Sequence, residues 1–231
     1  MPLPTWISRL PRYMRRLRRP AYMGSLRRTS PLSDVWGFDR GTPVDRYYIE
    51  AFLEAQRASI TGRVLEIKSS NYSKRFGRGV THYEVLDIDH SNPEATLIAD
   101  LAAADHIADN IFDCFILTQT LQLIPEPSAA LQQSWRMLRP GGTLLLTVPC
   151  ISRIIPRYGL EQDYWRFTAA SCRMLLSKSF KADQIEIHTY GNVLSAVAFL
   201  SGMACEELKA AELQKHDAYF PLIIAARATK G

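Results

Sequence analysis

The chain predicts a three-layer α/β fold in which helices cover both faces of a mostly parallel sheet. Short apolar strand patterns alternate with helical ones along most of its length, the arrangement that sets parallel strands between helices. Only about a dozen residues separate the first two strands, near the minimum for a parallel crossover. With 231 residues, 47% hydrophobic and 22% charged, the chain is large enough for one substantial core plus an extension.

The first helix of this body reads as "GTPVDRYYIEAFLEAQRAS". Thr42 is placed to cap it, Pro43 suits its first position and Asp45 falls in the first turn. Val44, Tyr48, Phe52 and Ala55 share a face, and Gly62 is a stop. Strands follow at "RVLEI" and "THYEVLDID", with a very short helix, "SKRF", between them. A third short strand is expected at "ATLIAD" and a fourth at "FDCFILTQT". Leu131, Trp135 and Leu138 stand at helical spacing in "SAALQQSWRML", which "RPGG" ends before the apolar strand "TLLLTVP". Thr168 caps "AASCRMLLSKSF", and "DQIEIHTYG" is a strand. Val193 to Leu213 reads as one helix and "PLIIAARAT" as the closing strand.

The net charge of +5 belongs to one end. Residues 1–33 hold eight arginines and no acid, which leaves 20 basic against 23 acidic residues in the rest. Within that basic segment Trp6, Ile7, Leu10, Met14 and Leu17 stripe an imperfect helix that Pro11 interrupts. Three readings stay open: an anchor on anionic membrane, an arm packed on the body or on a sister subunit of a homodimer, and a targeting segment. Four separated cysteines without a CxxC pair favour free thiols in a reducing compartment. No apolar run reaches the ~18–20 residues of a membrane span.

Residues 112–149, "FDCFILTQTLQLIPEPSAALQQSWRMLRPGGTLLLTVP", put Asp113 at the start of the fourth strand, a loop from Thr118, and the turn Arg139-Pro140-Gly141-Gly142 ahead of the fifth. Proline fixes φ and glycine supplies the conformations such a tight helix-to-strand turn demands. In this order the chain resembles the class I S-adenosylmethionine-dependent methyltransferases over residues 42–231, behind a basic extension of residues 1–41. The resemblance implies a Rossmann-like seven-stranded sheet with the last strand antiparallel, S-adenosylmethionine as cofactor and S-adenosylhomocysteine as product. "GFDRGTPVDRYYIEAFL", "CFILTQTLQ" and "DYWRFT" look more narrowly like a bacterial subgroup associated with glycosyltransferases and polysaccharide assembly. That implies an enzyme of glycan assembly. Free thiols fit a cytoplasmic location, with a peripheral place at the inner membrane face following only from the membrane reading of the basic segment.

The family's glycine-rich loop is replaced here by Lys68-Ser69-Ser70. A non-glycine residue in left-handed geometry costs roughly 1–2 kcal/mol, so the loop is expected to take another path, with Ser69 and Ser70 donating to a carboxylate. The resemblance gives Glu66 a cofactor-loop role, the alternative being a structural ion pair. Asp87 and Asp89 share a strand face; one accepts the ribose hydroxyls, Asp89 being favoured, and the other caps the turn. By the same resemblance Asp100 and Leu101 meet the adenine, and Thr118 and Gln119 close the pocket.

On the acceptor side Arg153, Tyr164, Trp165 and Arg166 suit a sugar, whose CH faces stack on rings while its hydroxyls bond charged groups. The structural alternative is a pair of core aromatics beside an Asp163–Arg166 ion pair. Asp163 and His188 are the candidate bases, with a structural role the alternative for His188. His82, His90, His106 and His216 show no metal-site spacing. The expected activity is O-methylation of a sugar, glycolipid or other polyhydroxylated small molecule, and the alternative is a non-catalytic scaffold of the same fold beside glycan-assembly enzymes. No G-x-G-x-x-G follows the first strand, which disfavours a dinucleotide oxidoreductase. The slightly acidic body and "TQTLQL" after the fourth strand disfavour a nucleic-acid methyltransferase.

Overall fold

The computed structural model describes residues 12–18 and 20–231, which fall into two compact units, Met1–Pro31 and Leu32–Gly231. The first contains a helix, α1 (Arg12–Arg18). Of the predicted stripe, Trp6, Ile7 and Leu10 lie outside the described residues, while Met14 and Leu17 fall in α1, with Leu17 exposed. The second unit begins at Leu32 rather than at residue 42. Its first residues are built into the body: Ser33 is buried, and its Oγ accepts the N–H groups of Val35 and Gly37.

Seven strands form one sheet: β1 (Gly62–Ile67), β2 (Val80–Asp87), β3 (Leu97–Ile98), β4 (Phe112–Thr118), β5 (Leu138–Pro149), β6 (Ile185–Tyr190) and β7 (Ile223–Thr229). Their order is β3-β2-β1-β4-β5-β7-β6, and β7 alone runs antiparallel to its neighbours. Side chains alternate across the sheet and so build two cores. Phe115 and Leu117 of β4 pack with Leu131 of α4 (Pro127–Met137) and Leu176 of α5 (Ala169–Leu176). Cys114 and Ile116 face the other way, onto Phe52 of α2 (Val44–Ala55) and Phe76 of α3 (Asn71–Phe76). On that second side α6 (Val193–Ser201) and α7 (Ala210–Gln214) join α2 through Val44, Tyr48, Phe199 and Leu213.

Several local expectations hold. Thr168 caps α5 by accepting the Ser171 N–H, and Gly141 takes the left-handed φ of 80° that the turn before β5 requires. Others do not. Thr42 does not cap α2; its Oγ1 donates to Glu206 at 2.7 Å, and the helix starts after Pro43 with no side-chain cap. The single helix expected over Val193–Leu213 breaks at Gly202, whose φ is 75°. A Cβ there would lie 2.6 Å from the Ser33 carbonyl oxygen, so close packing of the 32–37 segment demands glycine at this point. All four cysteines are free, and among the described residues no helix is long and apolar enough to cross a membrane.

Candidate functional site

The chain leaves β1 toward β2 and β3 on one side, then returns to β4 and β5 on the other. That reversal opens a crevice beyond the carboxyl ends of β1 and β4. Two cavities lie along it. The first, of about 220 Å³, is lined by Asp87, Ile88, Asp100, Leu101 and Leu123 among others, and the second, of about 430 Å³, by Trp36, Asp45, Arg46, Gln119, Gln122 and Arg157 among others. Lys68, Leu123 and Tyr158 line both, so the two are halves of one cleft.

The loop after β1 is built without glycine, and against expectation it keeps the strained path. Lys68 takes φ 68°, and Gln119, after β4, takes φ 46°. With Trp36 at φ 58°, three of the four non-glycine residues with positive φ among the described residues line the second cavity. Each such conformation costs of order 1–3 kcal/mol and persists where the surroundings over-determine it, as at binding sites. Here Lys68 N–H donates to the Leu86 carbonyl at 3.0 Å, and Gln119 N–H donates to the Thr147 carbonyl at 2.8 Å. Glu66 holds the next turn: its buried carboxylate accepts the Tyr72 N–H at 3.0 Å and the Ser73 N–H at 2.8 Å, at the N-terminus of α3. Among the described residues it makes no ion pair. Burial pushes its carboxyl up, against the pull of those two amides. Ser70 is buried just before α3, and Ser69 lines a further, more open pocket with Asn71 and Tyr72, which adjoins the second cavity through Phe38 and Arg46.

The two candidate ribose acids separate cleanly. Asp87 ends β2 and is buried in the wall of the first cavity, with Oδ1 accepting the Asp89 N–H and Oδ2 accepting Asn92 Nδ2 at 2.7 Å. A carboxylate has about four lone-pair positions, so two remain. Asp89, the favoured residue on sequence grounds, is exposed outside the cavity and closes a turn by accepting Ser91 N–H and Oγ–H. The strand ends at Asp87, so the two-residue alternation does not carry on to Asp89. Asp100 caps a short 3-10 turn by accepting the Ala102 N–H, and Leu101 is buried beside it; both line the first cavity. Ile88, which sequence reasoning passed over, also lines it although 67% exposed. An apolar side chain directly after the acid of a strand end was the available signal. Thr118 ends β4 without lining either cavity, whereas Gln119 faces the second.

None of the expected acceptor residues Arg153, Tyr164, Trp165 and Arg166 lines either cavity. Tyr164 and Trp165, 47% and 41% exposed, are not core aromatics either; all four brace the loop beside the cleft. Arg166 donates to both Asp163 oxygens, at 2.5 and 3.1 Å, and to the carbonyls of Ser152 and Arg153. Asp163 also accepts the Ile155 N–H, and its side chain is fully buried. Its oxygens are therefore taken by the loop itself, and the ion-pair alternative describes it. Trp165 Nε1 donates to the Ile124 carbonyl, and the N–H groups of Tyr164 and Trp165 share the Gln122 carbonyl. These contacts hold residues 151–166 so that Ile155, Arg157 and Tyr158 line the second cavity, with the Lys68 ammonium donating to Tyr158 Oη. Arg153 stacks 4.5 Å from the Trp36 ring centroid and donates to the Asp34 carbonyl, which braces the outer wall. His188 lies elsewhere, on β6 beside the Phe52 ring at 5.9 Å, and lines neither cavity.

Two groups in the second cavity were not anticipated. Burial pushes the Asp45 carboxyl up, and its Oδ1 accepts only the Arg46 N–H among the hydrogen bonds it makes. Gln122 is buried, with Nε2 donating to the Gln119 carbonyl while Oε1 has no partner. A buried unsatisfied acceptor on a cavity wall is a position for a ligand donor.

Residues 61–146 match a family described as a methyltransferase domain. The ubiquinone/menaquinone biosynthesis C-methyltransferase UbiE of Salmonella arizonae is 34% identical over 29% of this chain and 34% of its own. The protein of that name from Roseobacter denitrificans is 34% identical over 46% of this chain and 54% of its own. The chain thus spans about a third to a half of the length of the curated relatives it matches. Among solved structures, a SAM-dependent methyltransferase from Archaeoglobus fulgidus superposes with TM-score 0.54 at 13% identity, covering 80% of this chain and 94% of that one. The N-methyltransferase NodS from Bradyrhizobium japonicum, in complex with S-adenosylhomocysteine, superposes with TM-score 0.53 at 12% identity, covering 86% and 93%. The architecture is the Rossmann-like α/β fold of methyltransferases, and the family match and these neighbours support S-adenosylmethionine as the cofactor.

Proposed function

We propose that this chain transfers a methyl group from S-adenosylmethionine to a hydroxyl-bearing small molecule or glycan held in the second cavity. The observation that carries the reading is one cleft with two chemically distinct halves: acids and apolar side chains in the first, and a half-buried carboxyl, Asp45, with the unsatisfied amide oxygen of Gln122 in the second. The first half fits the cofactor. Asp87 retains lone pairs for the ribose hydroxyls, Asp100 is placed for the adenine amino group, and Ile88 and Leu101 supply faces for the base. Lys68 and Arg46 offer positive charge to the methionine carboxylate, since the side chain of each donates to a tyrosine hydroxyl rather than to a carboxylate.

The cofactor supplies an electrophilic methyl group; the chain's task is to position an acceptor and remove its proton. Asp45, rather than Asp163 or His188, takes the base role. A carboxyl raised by burial is better matched to a hydroxyl proton than an ordinary one. Gln122 Oε1 orients the acceptor by accepting a second hydroxyl. Deprotonation gives an oxygen nucleophile or, in an enol or phenol, electron density on the adjacent carbon. The curated relatives are named for C-methylation. The sugar or glycolipid acceptor rests on the sequence resemblance, and Trp36, Phe38 and Phe199 in the cavity wall suit an amphipathic or aromatic acceptor as well.

The test is transfer of label from methyl-labelled S-adenosylmethionine to a panel of sugars, glycolipids and phenols, with wild type and Asp45→Asn compared across pH. Because the folded Asp45 value is raised, activity should climb with pH above the ordinary carboxylate range, and Asp45→Asn should lose that limb and about 10²–10⁴ in rate while still binding S-adenosylhomocysteine. A folded protein that binds no cofactor would leave the non-catalytic scaffold as the reading. An unchanged pH profile in Asp45→Asn would remove Asp45 from the mechanism.

A further inference from the structure

α6, "VLSAVAFLS", carries no charged residue over nine positions, yet it is a surface helix. Its inner side is filled by Ser195, Ala196, Ala198 and Phe199. Its outer side shows Val193, Leu194, Val197 and Leu200 at 53%, 41%, 39% and 44% exposure. Spacings of four and three from Val193 through Val197 to Leu200 make this one continuous stripe. An apolar stripe of this kind on a surface helix marks a place where something docks.

Both ends of the helix extend the surface. At its start, the Asp217 N–H donates to the Gly191 carbonyl at 3.0 Å, which ties down the loop bearing Tyr219 and Phe220, 86% and 46% exposed. At its end, the Ser201 carbonyl accepts the Leu32 N–H at 2.7 Å. Leu32 is where the chain enters the body, directly after a segment with eight arginines and no acid. Arg27 and Arg28 are thereby tethered to this end of α6 by a few residues of chain. Near α7 itself the charges are mixed: Lys209 and Lys215 are exposed, as are Glu206 and Glu207. Glu207 is paired with Arg40 and Glu206 accepts from Thr42, so the attraction to headgroups falls to the arginine segment.

We propose that the α6 face docks on an anionic lipid bilayer, with the arginine-rich segment supplying the attraction to the headgroups. The pairing of features selects this occupant. An apolar helix face enters the interfacial region, while basic residues alongside bind acidic headgroups, and the two contributions together give stable attachment where either alone is marginal. A second copy of the chain would bury the stripe but give the arginines no counter-charge, and a nucleic acid would satisfy the arginines but leave the stripe in water.

The test is sedimentation of the full-length protein with phosphatidylcholine vesicles, with and without phosphatidylglycerol. Binding is expected only to the phosphatidylglycerol vesicles and should weaken with salt. Val197→Glu and Leu200→Glu should each reduce it about tenfold or more, from loss of a buried aliphatic contact. Arg27→Glu with Arg28→Glu should remove much of the salt-sensitive part. Melting temperature and S-adenosylhomocysteine binding, measured on the same variants, separate docking from folding and from the cleft. Equal binding to neutral vesicles, or undiminished binding by Val197→Glu, overturns the proposal. So does a concentration-dependent dimer, formed without lipid, that Val197→Glu dissolves, because a second copy would then cover this face.

Discussion

Asp87→Asn tests the cofactor half of the cleft most directly. The buried Asp87 carboxylate already accepts the Asp89 N–H at 3.1 Å and Asn92 Nδ2 at 2.7 Å. Asparagine keeps one oxygen and turns the other position into a donor. A ribose hydroxyl bonded to that position loses its charge-assisted acceptor, worth about 1.5–3 kcal/mol. Affinity for S-adenosylhomocysteine should therefore fall about 10–150-fold. If the new amide instead opposes Asn92 Nδ2, the turn loosens and the melting temperature drops by a few degrees, about 2–4 °C per kcal/mol for a domain of this size. Asp89→Asn is the control: its carboxylate is exposed and serves Ser91, so affinity should stay within about twofold, the range of an ordinary surface change. Isothermal titration of both variants, with melting curves alongside, decides between them. An Asp89→Asn loss equal to that of Asp87→Asn, or full affinity in Asp87→Asn, would refute the assignment.

Glu66→Gln leaves one oxygen where two amide N–H groups now find acceptors, and should cost about 1–3 kcal/mol, read as a melting temperature lower by roughly 2–12 °C. The folded Glu66 value is raised above the unfolded one, so the stability linked to it is full below the unfolded value and is lost as pH rises through the folded value; Glu66→Gln should flatten that decline in melting temperature against pH. Lys68→Gly relieves about 1–2 kcal/mol of left-handed strain but gives back roughly 0.5–1 kcal/mol in chain entropy, so stability should change by less than about 1–2 kcal/mol while cofactor affinity measured by titration falls. Phe52→Ala empties a site that is 0% exposed between the sheet and α2, and should cost about 3–5 kcal/mol in denaturant unfolding with no direct contact to the cleft.

The layered sheet was readable because its signals are local and repeated. Alternating faces in "FDCFILT", the cap at Thr168 and the glycine turn before β5 each depend on neighbours a few residues away. The acids at the ends of β2 and β3 were readable for the same reason, since a strand's end is visible in its own pattern. Which of Asp87 and Asp89 turns inward was not. Both obey the period of two, and the choice depends on where pairing with β3 stops and the chain bends. Residue preference alone argued against left-handed geometry at Lys68; the carbonyl of Leu86, far along the chain in the next strand, holds it there. Asp163 and Arg166 offered the right chemistry for a sugar, but folding spends those groups on each other and on the loop's own backbone. Asp45 looked like an ordinary first-turn acid until α2 docked and carried it into the wall of the second cavity. Sequence by itself determined the layers, the strand ends and the acids that stand there, because local periodicity and turn chemistry encode them. Only the tertiary structure decided which of those groups remain free to meet a ligand, because that depends on burial and on partners supplied by distant parts of the chain.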